Sequence, residues 1–248
     1  MKIKTAVSAL CTSLFFLSAC STLPKTPNNF ERKIIETEKL NFIVWEKNNI
    51  QKKDTLRFYI EGNGNPNPKK AIALALANED DFNNIVVLTR PCQYINNKIC
   101  QNKDIWTTQR YHPEIIKEMQ EIILFYIKKY QVKQIEFVAY SDAAPLAFIF
   151  AQHLGGAKKI ITVAGVLDIE SYARQNNLPN FKEAQNLTGI KNFVANIEQI
   201  HYIGSEDTIV TQSMTERFVS KLNNPKNITV KVVHGFDHDD WDKIKLKY

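Results

Sequence analysis

Seven short apolar runs mark out the chain: Leu40 to Trp45, Thr55 to Glu61, Asn84 to Thr89, Gln134 to Tyr140, Lys159 to Ala164, Ile200 to Ile203 and Ile228 to Val233. Between several of them lie segments with helical spacing. Lys69 to Asn78 is rich in Ala and Leu, which favours a helix. Pro113 to Tyr130 has apolar residues at Ile115, Ile116, Met119, Ile122, Ile123, Tyr126, Ile127 and Tyr130, with Pro113 suited to a first turn. Ala143 to Leu154 closes on Gly155-Gly156, a helix stop. A further helix is expected around Met214 to Leu222. Strand–helix alternation on this scale predicts an α/β fold with a mostly parallel sheet, helices on both faces and right-handed crossovers. With 248 residues and a hydrophobic fraction of 44%, the chain can bury a sizeable core and is not disordered. No internal repeat breaks the pattern. The polar, weakly periodic stretch 168–196 suits a small cap inserted over the sheet.

The first twenty residues have a different character. Lys2 and Lys4 precede the apolar stretch Thr5 to Leu17, whose thirteen residues fall short of the roughly 20 that a membrane-spanning helix needs. This is the layout of an export signal. It ends Leu17-Ser18-Ala19-Cys20, which resembles the lipobox of bacterial lipoproteins; a plain secretory signal with an incidental Cys20 is the alternative. The resemblance implies that 1–19 is removed, that Cys20 is the mature N-terminus, and that it carries several acyl chains, enough for stable anchoring. Ser21 rather than Asp follows it, which in such lipoproteins points to the outer membrane, facing the periplasm. Residues 20–29, with two prolines and no apolar period, read as a tether, and the folded body spans 30–248. Removing 1–19 takes away Lys2 and Lys4 and no acid, lowering the net charge from +6 to +4. No block of five like charges occurs, so a nucleic-acid tail is excluded.

In open α/β sheets, ligands bind beyond the carboxyl ends of the strands. There the chemistry-bearing residues gather. Ser141 follows Gln134 to Tyr140 and precedes a helix, in the string Ala139-Tyr140-Ser141-Asp142-Ala143. A serine on such a turn resembles the nucleophile elbow of the α/β-hydrolases, with alanines where that family usually carries glycines. A Ser here also suits a helix cap. Gly204-Ser205-Glu206-Asp207-Thr208-Ile209-Val210 resembles the family's turn bearing the acid, which points to Asp207, with Glu206 and Asp168 as rivals. His234-Gly235-Phe236-Asp237-His238 resembles its histidine loop and points to His238, with His234 as rival. The order Ser, Asp, His is the family's own.

The resemblance implies an α/β-hydrolase-like fold and acyl transfer: Ser141 attacks, His238 takes its proton, and Asp207 orients the imidazole. Oxyanion donors would be the N–H of Asp142 and, in the loop Glu61-Gly62-Asn63-Gly64, that of Asn63. Glu61 stands where the family has a histidine. The carboxylate of Asp142 must then point away from the oxyanion. Cys92 and Cys100, with seven residues between them inside an exported chain, read as a disulfide, while Cys11 falls in the discarded signal. Further matches to a lipoprotein branch of the family are Arg90-Pro91-Cys92-Gln93-Tyr94, Trp106-Thr107, Ala164-Gly165 with Leu167-Asp168, and His238 with Trp241. No metal and no cofactor are expected. The reading is a lipid-anchored serine hydrolase for carboxylic esters or related small acyl substrates, or an acyltransferase using the same serine. Its rival is a weak or inactive member of the fold that binds an envelope ligand or partner.

Overall fold

The computed structural model describes residues 4–6, 23–48, 50, 55–62, 65–95, 98–178, 181, 196–222 and 225–248. Nine strands form one sheet in the order β1-β2-β3-β5-β4-β6-β7-β8-β9. They are β1 (Lys4–Ala6), β2 (Phe30–Glu36), β3 (Asn41–Lys47), β4 (Thr55–Ile60), β5 (Ile85–Leu88), β6 (Gln134–Tyr140), β7 (Ala157–Val163), β8 (Glu198–Gly204) and β9 (Ile228–Val233). β4 to β9 are all parallel, while β1, β2 and β3 pair antiparallel at one edge. β1 lies within the segment read as the export signal, so a chain cut before Cys20 would begin its sheet with β2.

The helices, numbered among the described residues, are α1 (Ile72–Asn78), α2 (Pro113–Tyr130), α3 (Ala144–Leu154), α4 (Ile169–Gln175) and α5 (Gln212–Ser220). Two buried clusters lie on opposite faces of the sheet. On one, Phe42, Phe58, Val86 and Phe137 pack against Ile116, Met119 and Ile123 of α2 and Phe148 of α3. On the other, Ile43, Tyr59, Val87 and Val138 pack against Ile72 and Leu76 of α1 and against Trp241. Successive residues of a strand point to opposite faces, so runs such as Ile85–Leu88 are apolar throughout because both faces are covered.

α2 begins as its sequence predicts. Pro113 occupies the first turn, the His112 side chain accepts from the Glu114 N–H at 3.3 Å, and the helix ends on Gln131 in the left-handed conformation. α1 starts at Ile72, not Lys69. β2 has no counterpart among the apolar runs, because only Phe30 and Ile35 of its seven residues are buried. Of the stretch 168–196, α4 is described and most of the remainder lies outside the described residues.

Candidate active site

Ser141 sits between β6 and α3 with φ at +53°, a left-handed conformation that a side-chain-bearing residue adopts only under constraint. Its carbonyl accepts the Val166 N–H at 3.0 Å. No side chain caps α3. Instead the Ser141 Oγ lies 2.8 Å from His238 Nε2. His238 Nδ1 lies 2.8 Å from Asp207 Oδ2, and the other carboxylate oxygen of Asp207 accepts the N–H groups of Ile209 and Val210 at 2.9 and 2.8 Å. Three residues from the ends of β6, β8 and β9 thus form one hydrogen-bonded chain. The Asp207 carboxylate is shielded from solvent.

The rivals go elsewhere. Glu206 and His234 are exposed. Asp168 caps α4, accepting the Ser171 N–H at 3.0 Å. Tyr140 ties the elbow to the histidine loop: its hydroxyl donates to the His238 carbonyl at 2.9 Å and to Asp239 Oδ1 at 3.0 Å.

Glycines on neighbouring loops approach the elbow closely. A Cβ on Gly62 would lie 2.5 Å from the Tyr140 carbonyl oxygen and 2.9 Å from the Ser141 Cβ. A Cβ on Gly165 would lie 3.1 Å from the Ala144 Cβ and 2.6 Å from the Thr162 Cβ. The glycines missing from the elbow motif reappear on the strand ends beside it.

Asp142 is 1% exposed, and its carboxylate is held among cations. Arg110 Nη1 bonds one carboxylate oxygen, and Arg90 Nη1 lies 3.6 Å from the other. The Asp142 carbonyl accepts from Arg90 Nη1 at 3.3 Å and from the Tyr111 hydroxyl at 2.8 Å. Arg90 Nη2 donates in turn to the Arg110 carbonyl at 2.7 Å. Burial opposes the charge of Arg110, but Asp142 outweighs it and makes the guanidinium more basic than usual. For Arg90 burial wins, and its basicity falls despite Asp142. Arg110 also stacks over Phe181, whose ring meets Tyr111 edge-on at 5.1 Å. Tyr172 of α4 stands in the same field: burial first, then the charge of Asp142, makes its hydroxyl less acidic.

The other side of the site is the loop after β4. Glu61 is buried, and burial pushes its carboxyl up to about 7, against the N–H groups of Leu74 and Ala73 that favour its charge. The Gly62 carbonyl accepts from Gln93 Nε2 at 2.8 Å, and Gln93 Oε1 accepts the Arg90 N–H at 2.9 Å. The segment carrying Arg90 and Gln93 is closed by a Cys92–Cys100 disulfide with Cα atoms 5.5 Å apart. Asn63 and Cys20 lie outside the described residues.

Sequence reasoning missed Arg110, Tyr111, Gln93 and Tyr140 as site-forming residues, and quoted Arg90 only inside a matching string. The available signal was Asp142 itself, since an acid beside a nucleophile needs cationic partners. Among the described residues, no group of three or more His, Cys, Asp or Glu side chains is placed to hold a metal ion. Nor, among them, is any helix long and apolar enough to cross a membrane.

A mostly parallel sheet covered on both faces, with a strained serine after its central strand, is the α/β-hydrolase fold, and solved structures agree. Est1E from Butyrivibrio proteoclasticus superimposes with a TM-score of 0.58 at 13% identity, over 84% of this chain and 90% of that one. A Pyrococcus furiosus esterase gives 0.56 at 16%, over 84% and 82%. XC6422 from Xanthomonas campestris, an α/β serine hydrolase without a lid, gives 0.55 at 10%, over 87% and 88%. No family model and no curated protein matches the sequence.

Proposed function

We propose that this chain is a lipid-anchored serine hydrolase that cleaves carboxylic esters or related small acyl substrates. The observation that carries this reading is the Ser141–His238–Asp207 chain, with both links at 2.8 Å. His238 takes the Ser141 proton as the hydroxyl attacks the carbonyl, and returns it to the leaving alcohol. Asp207, held by two backbone N–H groups, fixes the ring and stabilises its charged form. Water then resolves the acyl-enzyme, with His238 again as base.

The oxyanion would be met by the N–H of Asp142 and by that of Asn63. Two features support this. The Ser141 carbonyl, on the same peptide unit as the Asp142 N–H, is held by Val166. The Gly62 carbonyl, in the loop that leads to Asn63, is held by Gln93. The Asp142 carboxylate is drawn off by Arg90 and Arg110, which removes the objection to an acid at that place. The anchor part of the proposal rests on sequence. Residues 1–19 serve as a lipoprotein signal, Cys20 takes the acyl chains, and the protein stands on the outer membrane facing the periplasm.

A fluorophosphonate probe tests the chemistry. The chain labels covalently, and Ser141→Ala abolishes labelling. Labelling that survives the substitution, or none in a folded sample, overturns the assignment.

A further inference from the structure

The place where the tether meets the fold settles which way the site faces. β2 runs antiparallel to β3, and Phe30 pairs with Lys47. β3 in turn opposes β5, so Phe30 lies at the edge of the sheet where the parallel strands begin. Residues Lys25 to Asn29 dock on that edge. Thr26 Oγ1 accepts from Trp45 Nε1 at 3.2 Å, and the Asn29 carbonyl accepts the Asn48 N–H at 2.7 Å. Asn78, the last residue of α1, closes a shallow groove with them. Ser141, Asp207 and His238 follow the other ends of the strands. The seven residues of β6 separate the two edges by about 23 Å at roughly 3.3 Å per residue. From Cys20 to Lys25 the chain reaches at most about 18 Å, too short to invert the body while the tether stays docked.

Several lysines gather at the same edge. Lys25, Lys128, Lys133, Lys158 and Lys226 are exposed at or near the edge where the strands begin. None of them forms an ion pair among the described residues. The edge that carries Ser141 mixes the exposed acids Glu206, Asp237 and Asp239 with the exposed Lys69, Lys70, Lys98 and Lys103, while Glu79, Asp81 and Glu198 lie exposed near the first edge. An anionic surface attracts the unpaired lysines of the first edge.

We infer that the lysine-bearing edge of the sheet docks on anionic phospholipid headgroups, turning the Ser141 site away from the anchoring bilayer and toward water-soluble esters. This rests on the lipid-anchored hydrolase reading above.

The test uses the full lipidated chain in vesicles of phosphatidylglycerol and phosphatidylethanolamine carrying a headgroup nitroxide. A fluorophore is attached at Asn227→Cys on the lysine edge or at Glu170→Cys on α4. Quenching several-fold stronger at position 227 is expected, and Lys133→Glu/Lys158→Glu/Lys226→Glu should weaken it without reversing the order, since the tether stays docked; unchanged quenching in that variant overturns the headgroup contact. Hydrolysis of 4-nitrophenyl acetate should match that of the same protein in detergent. Equal or reversed quenching overturns the orientation. Failure to float with the vesicles removes the anchor, and the proposal with it. Ester hydrolysis that survives Ser141→Ala removes the hydrolase reading alone and leaves the quenching pattern standing.

Discussion

Arg110→Met tests how this chain tolerates an acid beside Ser141. Arg110 gives the buried Asp142 carboxylate its close partner, while Arg90 stands 3.6 Å off. Removing one partner of a buried ion pair costs about 3–5 kcal/mol. Part of the Arg110 side chain meets solvent and Arg90 remains, so a smaller cost of about 2–3 kcal/mol is expected. For a domain of this size that lowers Tm by about 5–10 °C. The carboxylate is then free to turn toward the developing oxyanion. A loss of about 10- to 100-fold in kcat/KM, or roughly 1.4–2.7 kcal/mol, should follow. The informative assay is a double-mutant cycle with Asp142→Asn, reading both Tm and ester hydrolysis. Arg110→Met should cost less when position 142 is neutral, with a coupling of at least about 1 kcal/mol. Additive effects, with a coupling below about 0.5 kcal/mol, would refute the reasoning, as would an Arg110→Met enzyme of unchanged kcat/KM.

Two further outcomes are expected. Glu61 has its carboxyl raised from the ordinary 4.5 to about 7 by burial, so the folded protein favours its protonated form. Its contribution is full below about pH 4.5 and is lost as pH rises through about 7, a change of about 3 kcal/mol. Glu61→Gln, which keeps an acceptor for the Leu74 N–H, should therefore gain Tm relative to the parent between pH 5 and pH 8. A difference that does not vary with pH counts against this. Gly62→Ala puts a Cβ 2.5 Å from a backbone oxygen, a clash that only a shift of the elbow or its facing loop relieves. Such overpacking costs about 1–3 kcal/mol of stability, and the misplacement should lower kcat about 100-fold with little change in KM. An unaffected kcat would show that the contact is soft.

The strand ends that carry Ser141, Asp207 and His238 were legible because each follows an apolar run with a local signature. What escaped was non-local. Arg90 and Arg110 reach Asp142 across 52 and 32 residues, and no window of sequence joins them. The elbow alanines suggested crowding, yet the glycines that approach the elbow closely are Gly62 and Gly165, which come from other strands. β2 escaped for an energetic reason: a strand that buries only two of its seven residues needs few apolar ones, and FERKIIE has its exposed Ile34 beside the buried Ile35. α1 begins later than its composition suggested, at the point where the Glu61 carboxylate accepts the Leu74 N–H at 3.2 Å. A distant acceptor, not a local cap, meets one of its first-turn donors.

The Cys92–Cys100 bond has a consequence in time. Gln93, which holds the Gly62 carbonyl, and Arg90, which holds Asp142, flank Cys92 in one short segment. Disulfides form in oxidising compartments and not in a reducing cytosol. Under the proposed export, a chain still in a reducing cytosol would carry two thiols and an unfastened brace beside Ser141. In the exported hydrolase proposed above, oxidation after export would fasten that brace, so full hydrolytic competence would be expected only under oxidising conditions.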